Sequence, residues 1–331
     1  MKILVTGSSG HLGEALVRRL KERRHAVTGV DILPSPFTTH VGSIASRAVA
    51  RDCVHGVDAI LHAATLHKPH VATHGRQAFV DTNITGTLNL LEEAVAARVG
   101  AFVFTSTTSA FGDALIPAAG APAAWITEEV AARPRNIYGT TKTAAEDLCE
   151  LFSRNHALPS LVLRTSRFFP EVDDDAAVRA SMVDANVKAN EFLHRRVDIE
   201  DVVSAHLRAL EMAPQLGFDK LIISATTPFT AADAPDLRSN APAVLRKRVP
   251  GFEAVYAARG WKAPAGIDRV YVNDRARSRL GWEPVYDFGR ILHHLARDED
   301  PRSDLARTIG EKGYHGTVRF TDGPYPVETR R

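Results

Sequence analysis

Cysteine is nearly absent. Cys53 and Cys149 are alone in 331 residues, too few for a disulfide framework and without the C-x-x-C spacing of a zinc or redox site. No stretch approaches the roughly 20 consecutive apolar residues needed to span a bilayer, so no membrane partner is expected. Basic and acidic residues number 41 and 39, for a net charge of +2. They are interleaved and form no Lys/Arg block or aromatic-basic stripe, so no nucleic-acid partner is expected either. The opening Met1-Lys2-Ile3-Leu4-Val5 lacks the apolar core and small-residue cleavage site of a secretory signal, and a cytoplasmic location is the expectation. Internal repeats and low-complexity tracts are also missing.

What is present is an alternation. Short apolar, β-rich runs at Lys2 to Thr6, Ala26 to Asp31, Ala59 to His62, Ala101 to Ser106 and Ser160 to Arg164 are separated by stretches of helical period starting near His11, Ala78 and Tyr138. That pattern predicts an α/β fold, a Rossmann-type doubly wound parallel sheet covered on both faces. Leu88, Leu91, Val95 and Val99 recur at helical spacing, so one face of their helix is buried, within the chain or at a dimer interface. Beyond Arg164 the pattern loosens, through Asp173-Asp174-Asp175, Arg195 to Leu210 and a strand-like Lys220 to Ser224. The length exceeds the usual size of one compact core. We expect a dinucleotide-binding domain over residues 1–169, rejoined by 197–226. Residues 170–196 and 227–331 are expected to form a smaller substrate-binding lobe, with a surface tail from Asp298.

The first apolar run leads into Val5-Thr6-Gly7-Ser8-Ser9-Gly10-His11-Leu12-Gly13 and then a helix, the context that gives a Gly-rich loop meaning. Gly7 permits a tight turn, Gly10 lets backbone N–H groups near His11 and Leu12 approach a pyrophosphate, and Gly13 lets the helix pack on the strand. The second run ends at Asp31, followed by Ile32. A carboxylate there accepts hydrogen bonds from both ribose hydroxyls and repels a 2′-phosphate, which favours NAD over NADP.

Tyr138 and Lys142 stand four apart in a helical segment, on one face and one turn from each other. A phenol of ordinary pKa, about 10, is a poor base at neutral pH; a neighbouring ammonium favours the phenolate. Tyr138 can then take the proton of a secondary alcohol as the carbinol hydrogen leaves as hydride.

With these motifs come His62-Ala63-Ala64, Asn83-Ile84-Thr85-Gly86-Thr87, Phe104 to Gly112, Val197 to Val202, and Leu280-Gly281-Trp282-Glu283-Pro284. Together and in this order they resemble the extended short-chain dehydrogenase/reductases of the NAD-dependent epimerase/dehydratase group. The resemblance implies that Thr107 joins Tyr138 and Lys142 as the residue hydrogen-bonding the reacting oxygen. It implies that Ala63, Ala64 and Asn83 border the cofactor and that Lys142 also binds the nicotinamide ribose. It places Ser43-Ile44 where an Asp-apolar pair usually touches adenine; the Asp is absent here. It also implies a homodimer through the helices following Asn83 and Tyr138.

Departures from the family narrow the substrate. Dehydratases of this group carry Asp-Glu after the Thr, whereas this chain has Thr108 and Ser109, and neither hydroxyl titrates near neutrality. Arg167 replaces an Asn that contacts the nucleotide diphosphate in epimerases. Its guanidinium either grips an anionic substrate or pairs with Asp173 or Asp174. The stretch from Pro170 to Val197 is shorter than the family's nucleotide-clasping segment, which suits a smaller substrate. His62, His67, His70 and His74 cluster in sequence, but no Asp or Glu lies between Leu61 and Arg76 and Pro69 interrupts a helix. We therefore expect no metal; the resemblance places this loop at the substrate cleft, so His67 or His70 is expected to contact the substrate, with Thr108, Ser109 and Arg167. The expectation is an NAD-dependent sugar or nucleotide-sugar epimerase/dehydratase-type oxidoreductase. A simple dehydrogenase of a sugar, uronate or small carbonyl compound is the alternative, and a non-catalytic NAD-sensing regulator is the alternative of another class.

Overall fold

The computed structural model describes residues 1–173 and 176–313. Seven strands, β1 (Lys2–Thr6), β2 (Ala26–Asp31), β3 (His40–Val41), β4 (Ala59–His62), β5 (Ala101–Thr107), β7 (Ser160–Thr165) and β8 (Phe218–Ile223), form one sheet in the order β3-β2-β1-β4-β5-β7-β8. Every pairing is parallel. A second, two-stranded sheet pairs β6 (Ala124–Ile126) with β9 (Arg269–Tyr271).

The central stretches of β1, β4, β5 and β7 are apolar, and both faces of the sheet there are covered. Successive side chains alternate sides: Ile3, Val5, Leu61, Val103 and Leu163 face one core, Leu4, Ile60, Phe102, Phe104 and Val162 the other. The first core is roofed by α1 (His11–Glu22) and α8 (Ile199–Leu216), the second by α2 (Arg47–Val54), α4 (Gly86–Ala96) and α5 (Ile137–His156). Burying each such side chain stabilises the fold by about 1.5–3 kcal/mol. The helical face of Leu88, Leu91, Val95 and Val99 is buried within the chain, packed on the α2 and α5 side.

The run leading to α4 is less regular than the expected helix from Ala78. A short α3 (Arg76–Phe79) passes into a π-helical turn, Val80–Thr85, before α4 begins. Such widened turns are frequent at functional sites.

The remaining helices are α6 (Ala176–Ser181), α7 (Asp184–Glu191), α9 (Ala234–Arg248), α10 (Phe252–Ala258), α11 (Asp274–Leu280), α12 (Phe288–Ala296) and α13 (Asp304–Ile309). The smaller lobe has its own core, built from Phe192, Leu237, Leu245, Tyr256, Val270 and Phe288. The expected surface tail from Asp298 is corrected. Helix α13 buries Leu305 and Ile309 in the first core, and Ser303 caps it while donating to Asp198 at 2.5 Å.

Candidate functional site

Strand order reverses between β1 and β4, and ligands of open α/β sheets sit at the carboxyl ends of the strands beside such a switch point. A cleft of about 700 Å³ opens there. Gly7, Ser9 to Gly13, Ala63, Thr107, Tyr138 and Arg167 are among its lining residues.

The loop after β1 is built for close approach. Gly7 has φ +72°, and a Cβ there would lie 2.8 Å from the Ala64 nitrogen. A Cβ on Gly13 would meet the Gly7 carbonyl oxygen at 1.8 Å, so the helix rests directly on the turn. Gly10, by contrast, meets only that oxygen, at 3.2 Å. No side chain caps the start of α1, and the buried Ser9 Oγ has no hydrogen-bond partner among the described residues. An uncapped helix N-terminus with a spare hydroxyl beside it fits a pyrophosphate. Ser9 was not singled out from the sequence, although its place between Gly7 and Gly10 is the available signal.

Asp31 is buried, accepting from the Ser9 N–H through Oδ2 and from the Leu33 N–H through Oδ1, each at 3.0 Å. It thus ties the glycine loop to the turn following β2. Leu33, Pro34 and Ser35 of that turn line the cleft, whereas Asp31 and the exposed Ile32 do not. Ser43 and Ile44 are also outside the lining; Ile44 is buried against Gly86.

Asn83, on the π-helical turn, is buried and fully engaged. Its Oδ1 accepts from Leu66 N–H at 2.8 Å and Thr65 Oγ1 at 2.9 Å, and its Nδ2 donates to Thr141 Oγ1 at 3.0 Å. It braces the β4 loop against α5 from outside the lining. Ala63 lines the cleft, and both Ala63 and Ala64 donate their N–H groups to Thr6 Oγ1 at 3.1 and 3.0 Å.

Three of the four histidines stay together, the His67 and His70 rings 6.0 Å apart and those of His70 and His74 5.1 Å apart. His62 is wholly buried between Thr6 Oγ1, 2.7 Å from Nδ1, and Thr87 Oγ1, 2.9 Å from Nε2. The Thr87 hydroxyl donates to the Asn83 carbonyl at 2.7 Å, so it accepts from His62 Nε2–H, and Thr6 donates to Nδ1. Burial, and secondarily Lys142, hold this imidazole neutral, well below its usual pKa. His67 lines the cleft with its ring 6.1 Å from that of Tyr138 and edge-on to Phe169 at 5.4 Å. His74 sits against His70, away from His62. No group of three or more His, Cys, Asp or Glu side chains among the described residues is arranged to hold a metal.

Asn136 caps α5 by accepting from the Gly139 N–H at 2.9 Å, and Tyr138 and Lys142 follow one turn apart. Thr107 ends β5, and both it and Tyr138 line the cleft. The Thr107 Oγ1 accepts from Ser109 N–H at 3.1 Å, and Thr108 and Ser109 both border the cleft. The proton balance departs from the expected one. Burial pushes Tyr138 up to about 12, and the Thr107 hydroxyl is what opposes it. Lys142 is buried, donates to the Thr105 carbonyl at 2.6 Å and lies 3.9 Å from the Phe104 ring centre. Desolvation lowers it to about 7, with Glu146 acting against that. Glu146 is itself held by Arg164, with a shortest contact of 2.6 Å, and by Ser106. The chain alone therefore keeps the phenol protonated, with Thr107 rather than Lys142 as the group that favours its ionised form.

Arg167 was assigned to an anionic substrate or to an acidic neighbour, and the structure realises the second. Its Nη1 lies 3.4 Å from Asp173 Oδ2 and its Nη2 donates to the Val172 carbonyl at 2.8 Å; Asp174 lies outside the described residues. Lys312 reaches the glycine loop, donating from Nζ to the Ser9 carbonyl at 2.7 Å and pairing with Glu14. Its position far along the chain gave no signal in the sequence.

The sequence profile described as "NAD dependent epimerase/dehydratase family" matches residues 3–219. The chain belongs to the NAD-dependent epimerase/dehydratase family. Among curated relatives of this family member is a UDP-glucose 4-epimerase of Rhizobium meliloti (strain 1021), 26% identical over 322 residues, or 87% of this chain and 94% of that protein. Another is a 3-beta-hydroxysteroid dehydrogenase of Mycolicibacterium neoaurum, 25% identical over 333 residues, covering 86% of this chain and 87% of that protein. A solved short-chain dehydrogenase/reductase superfamily protein of Agrobacterium tumefaciens with bound NAD shares the fold, with TM-score 0.64 and 24% identity over 93% of this chain and 99% of that one. This family member is accordingly an NAD-dependent enzyme of the extended short-chain dehydrogenase/reductase type with a Rossmann-like seven-stranded parallel sheet.

Proposed function

We propose that the protein oxidises a secondary hydroxyl of a sugar or nucleotide-sugar with NAD and, as an epimerase, returns the hydride to the other face. The carrying observation is that Tyr138 and Thr107 line the same cleft as the glycine loop, with the Thr107 hydroxyl favouring the ionised phenol. Tyr138 holds and moves the proton of the reacting oxygen, and Thr107 positions that oxygen and lowers the cost of the phenolate. Lys142 fixes the end of β5 through the Thr105 carbonyl and stands one turn from the phenol, its amine lowered to about 7 by desolvation. Gly7, Gly10, Gly13 and the N–H groups of His11 and Leu12 bind the pyrophosphate, and bound NAD supplies the hydride acceptor.

The same site supports a second reading, a dehydrogenase that releases NADH each turnover. Its support is the 3-beta-hydroxysteroid dehydrogenase among the relatives; the lack of Asp or Glu in the described lining disfavours water elimination and fits both readings. A panel of free and nucleotide-linked sugars, assayed in parallel for NADH absorbance and for product epimers, separates the two readings. Turnover of none of them by the NAD-loaded protein would favour a nucleotide-sensing regulator.

The cytoplasm is the proposed location, and among the described residues no helix is long and apolar enough to cross a membrane. A homodimer through the helices following Asn83 and Tyr138, α4 and α5, is the proposed assembly. Light scattering tests the mass.

A further inference from the structure

The cleft is lined by Arg135, Arg167, Arg195 and Arg269, and by no aspartate or glutamate among the described residues. Three of these guanidiniums are countered by carboxylates outside the lining. Arg135 lies 3.3 Å from Asp113, Arg167 3.4 Å from Asp173, and Arg195 2.9 Å from Glu191. Arg269 differs in pairing with no carboxylate among the described residues; its Nε, like that of Arg195, is buried without a hydrogen-bond partner there.

Its backbone is nonetheless well fixed. Arg269 opens β9 in register with Ala124, and its carbonyl oxygen lies 3.0 Å from His194 Nδ1. His194 supplies no counter-charge of its own, being a hydrogen-bonding group on the backbone; burial, with Arg195 and Arg269 nearby, keeps it neutral well below its usual pKa. This corner of the cleft is thus positive and uncompensated. A partly buried guanidinium with an orphaned N–H is costly to keep unless something pairs with it. Its planar fork matches the two oxygens of a carboxylate or phosphate. The lobe strand β9 carries it, whereas the pyrophosphate cradle belongs to the β1–α1 turn, so its anion is not the dinucleotide's.

We propose that Arg269 grips an oxyanion of the substrate, a carboxylate or a phosphate, and thereby selects an anionic sugar derivative over a neutral one. This rests on the functional reading above. It moves the anion site from Arg167, which is spent on Asp173 and the Val172 carbonyl, to a residue that the sequence did not single out.

Calorimetric titration of the NAD-loaded protein with D-glucuronate, UDP and D-glucose tests it. One or both anions should bind at least tenfold more tightly than glucose. Arg269→Gln should weaken that binding tenfold or more and Arg269→Lys should restore part of it, with NAD affinity and melting temperature unchanged in both. Preference for glucuronate assigns the carboxylate, and preference for UDP the phosphate. Equal binding of glucose and the anions, absence of anion binding, or undiminished anion binding by Arg269→Gln would overturn the proposal. Loss of NAD binding in that variant would overturn it too. The functional reading fails separately, by full turnover in Tyr138→Phe, which leaves these titrations untouched.

Discussion

Thr107, at the end of β5, and Tyr138, near the start of α5, line one cleft, and the Thr107 hydroxyl favours the ionised phenol. The pair joins a strand of the sheet to the helix packed on it, and the hydroxyl opposes a burial that raises the phenol to about 12.

Thr107→Val keeps the shape and removes the hydroxyl that favours the ionised phenol. The phenol should become harder to ionise, so the rising limb of kcat/KM against pH moves to higher pH. At neutral pH kcat/KM should drop about tenfold, the loss expected for roughly 1.4 kcal/mol of phenolate stabilisation. An unshifted limb would show that Thr107 does not act on Tyr138.

Tyr138→Phe removes the proton carrier and leaves the loop from Gly7 to Gly13 intact. Turnover should fall by about two to four orders of magnitude while NAD affinity is kept. Calorimetry with NAD and steady-state assays on one preparation check both halves of the expectation.

Gly13→Ala drives a methyl group to within 1.8 Å of the Gly7 carbonyl unless the turn gives way. The strain should cost about 1–3 kcal/mol of stability and weaken NAD at least tenfold. Thermal melts with and without NAD report this as a lower melting temperature and a smaller shift on adding NAD.

Stability should fall as the pH drops from about 6.5 towards 4. His206 is buried, bonded to the Val202 carbonyl and to Thr105 Oγ1, and burial lowers it to about 4. His62 and His194 are also held well below their usual values by burial. For these groups the unfolded chain binds the proton first, so their contribution is complete above 6.5 and is lost as pH falls, by up to about 1.4 kcal/mol per pH unit each. Asp201 works in the opposite sense: burial raises it to about 7, and its ionisation costs stability as pH rises through the same window. Three imidazoles outweigh one carboxylate. Urea midpoints that rise on going from pH 7 to 5 would refute the assignment.

Much of the architecture was legible because it is local or periodic. The strand runs, the glycine loop and the helix carrying Tyr138 announce themselves through alternation, spacing and turn chemistry, and β1, β2 and β4 lie where they were expected. The short β3, β6 and β9 were not legible, since two or three residues carry no period. The same holds for α13, whose polar surroundings conceal Leu305 and Ile309.

The sequence by itself determined a dinucleotide loop, a phenol four residues before an ammonium, and a parallel sheet to hold them, because each depends on neighbours within a few turns of chain. Only the tertiary structure decided which group acts on the phenol and which arginine remains uncompensated. Those answers depend on burial and on partners dozens of residues away: Thr107 for Tyr138, the Thr105 carbonyl for Lys142, and, for Arg269, no carboxylate among the described residues. Desolvation and charge pairing are properties of the packed surroundings, and no spacing along the chain encodes them.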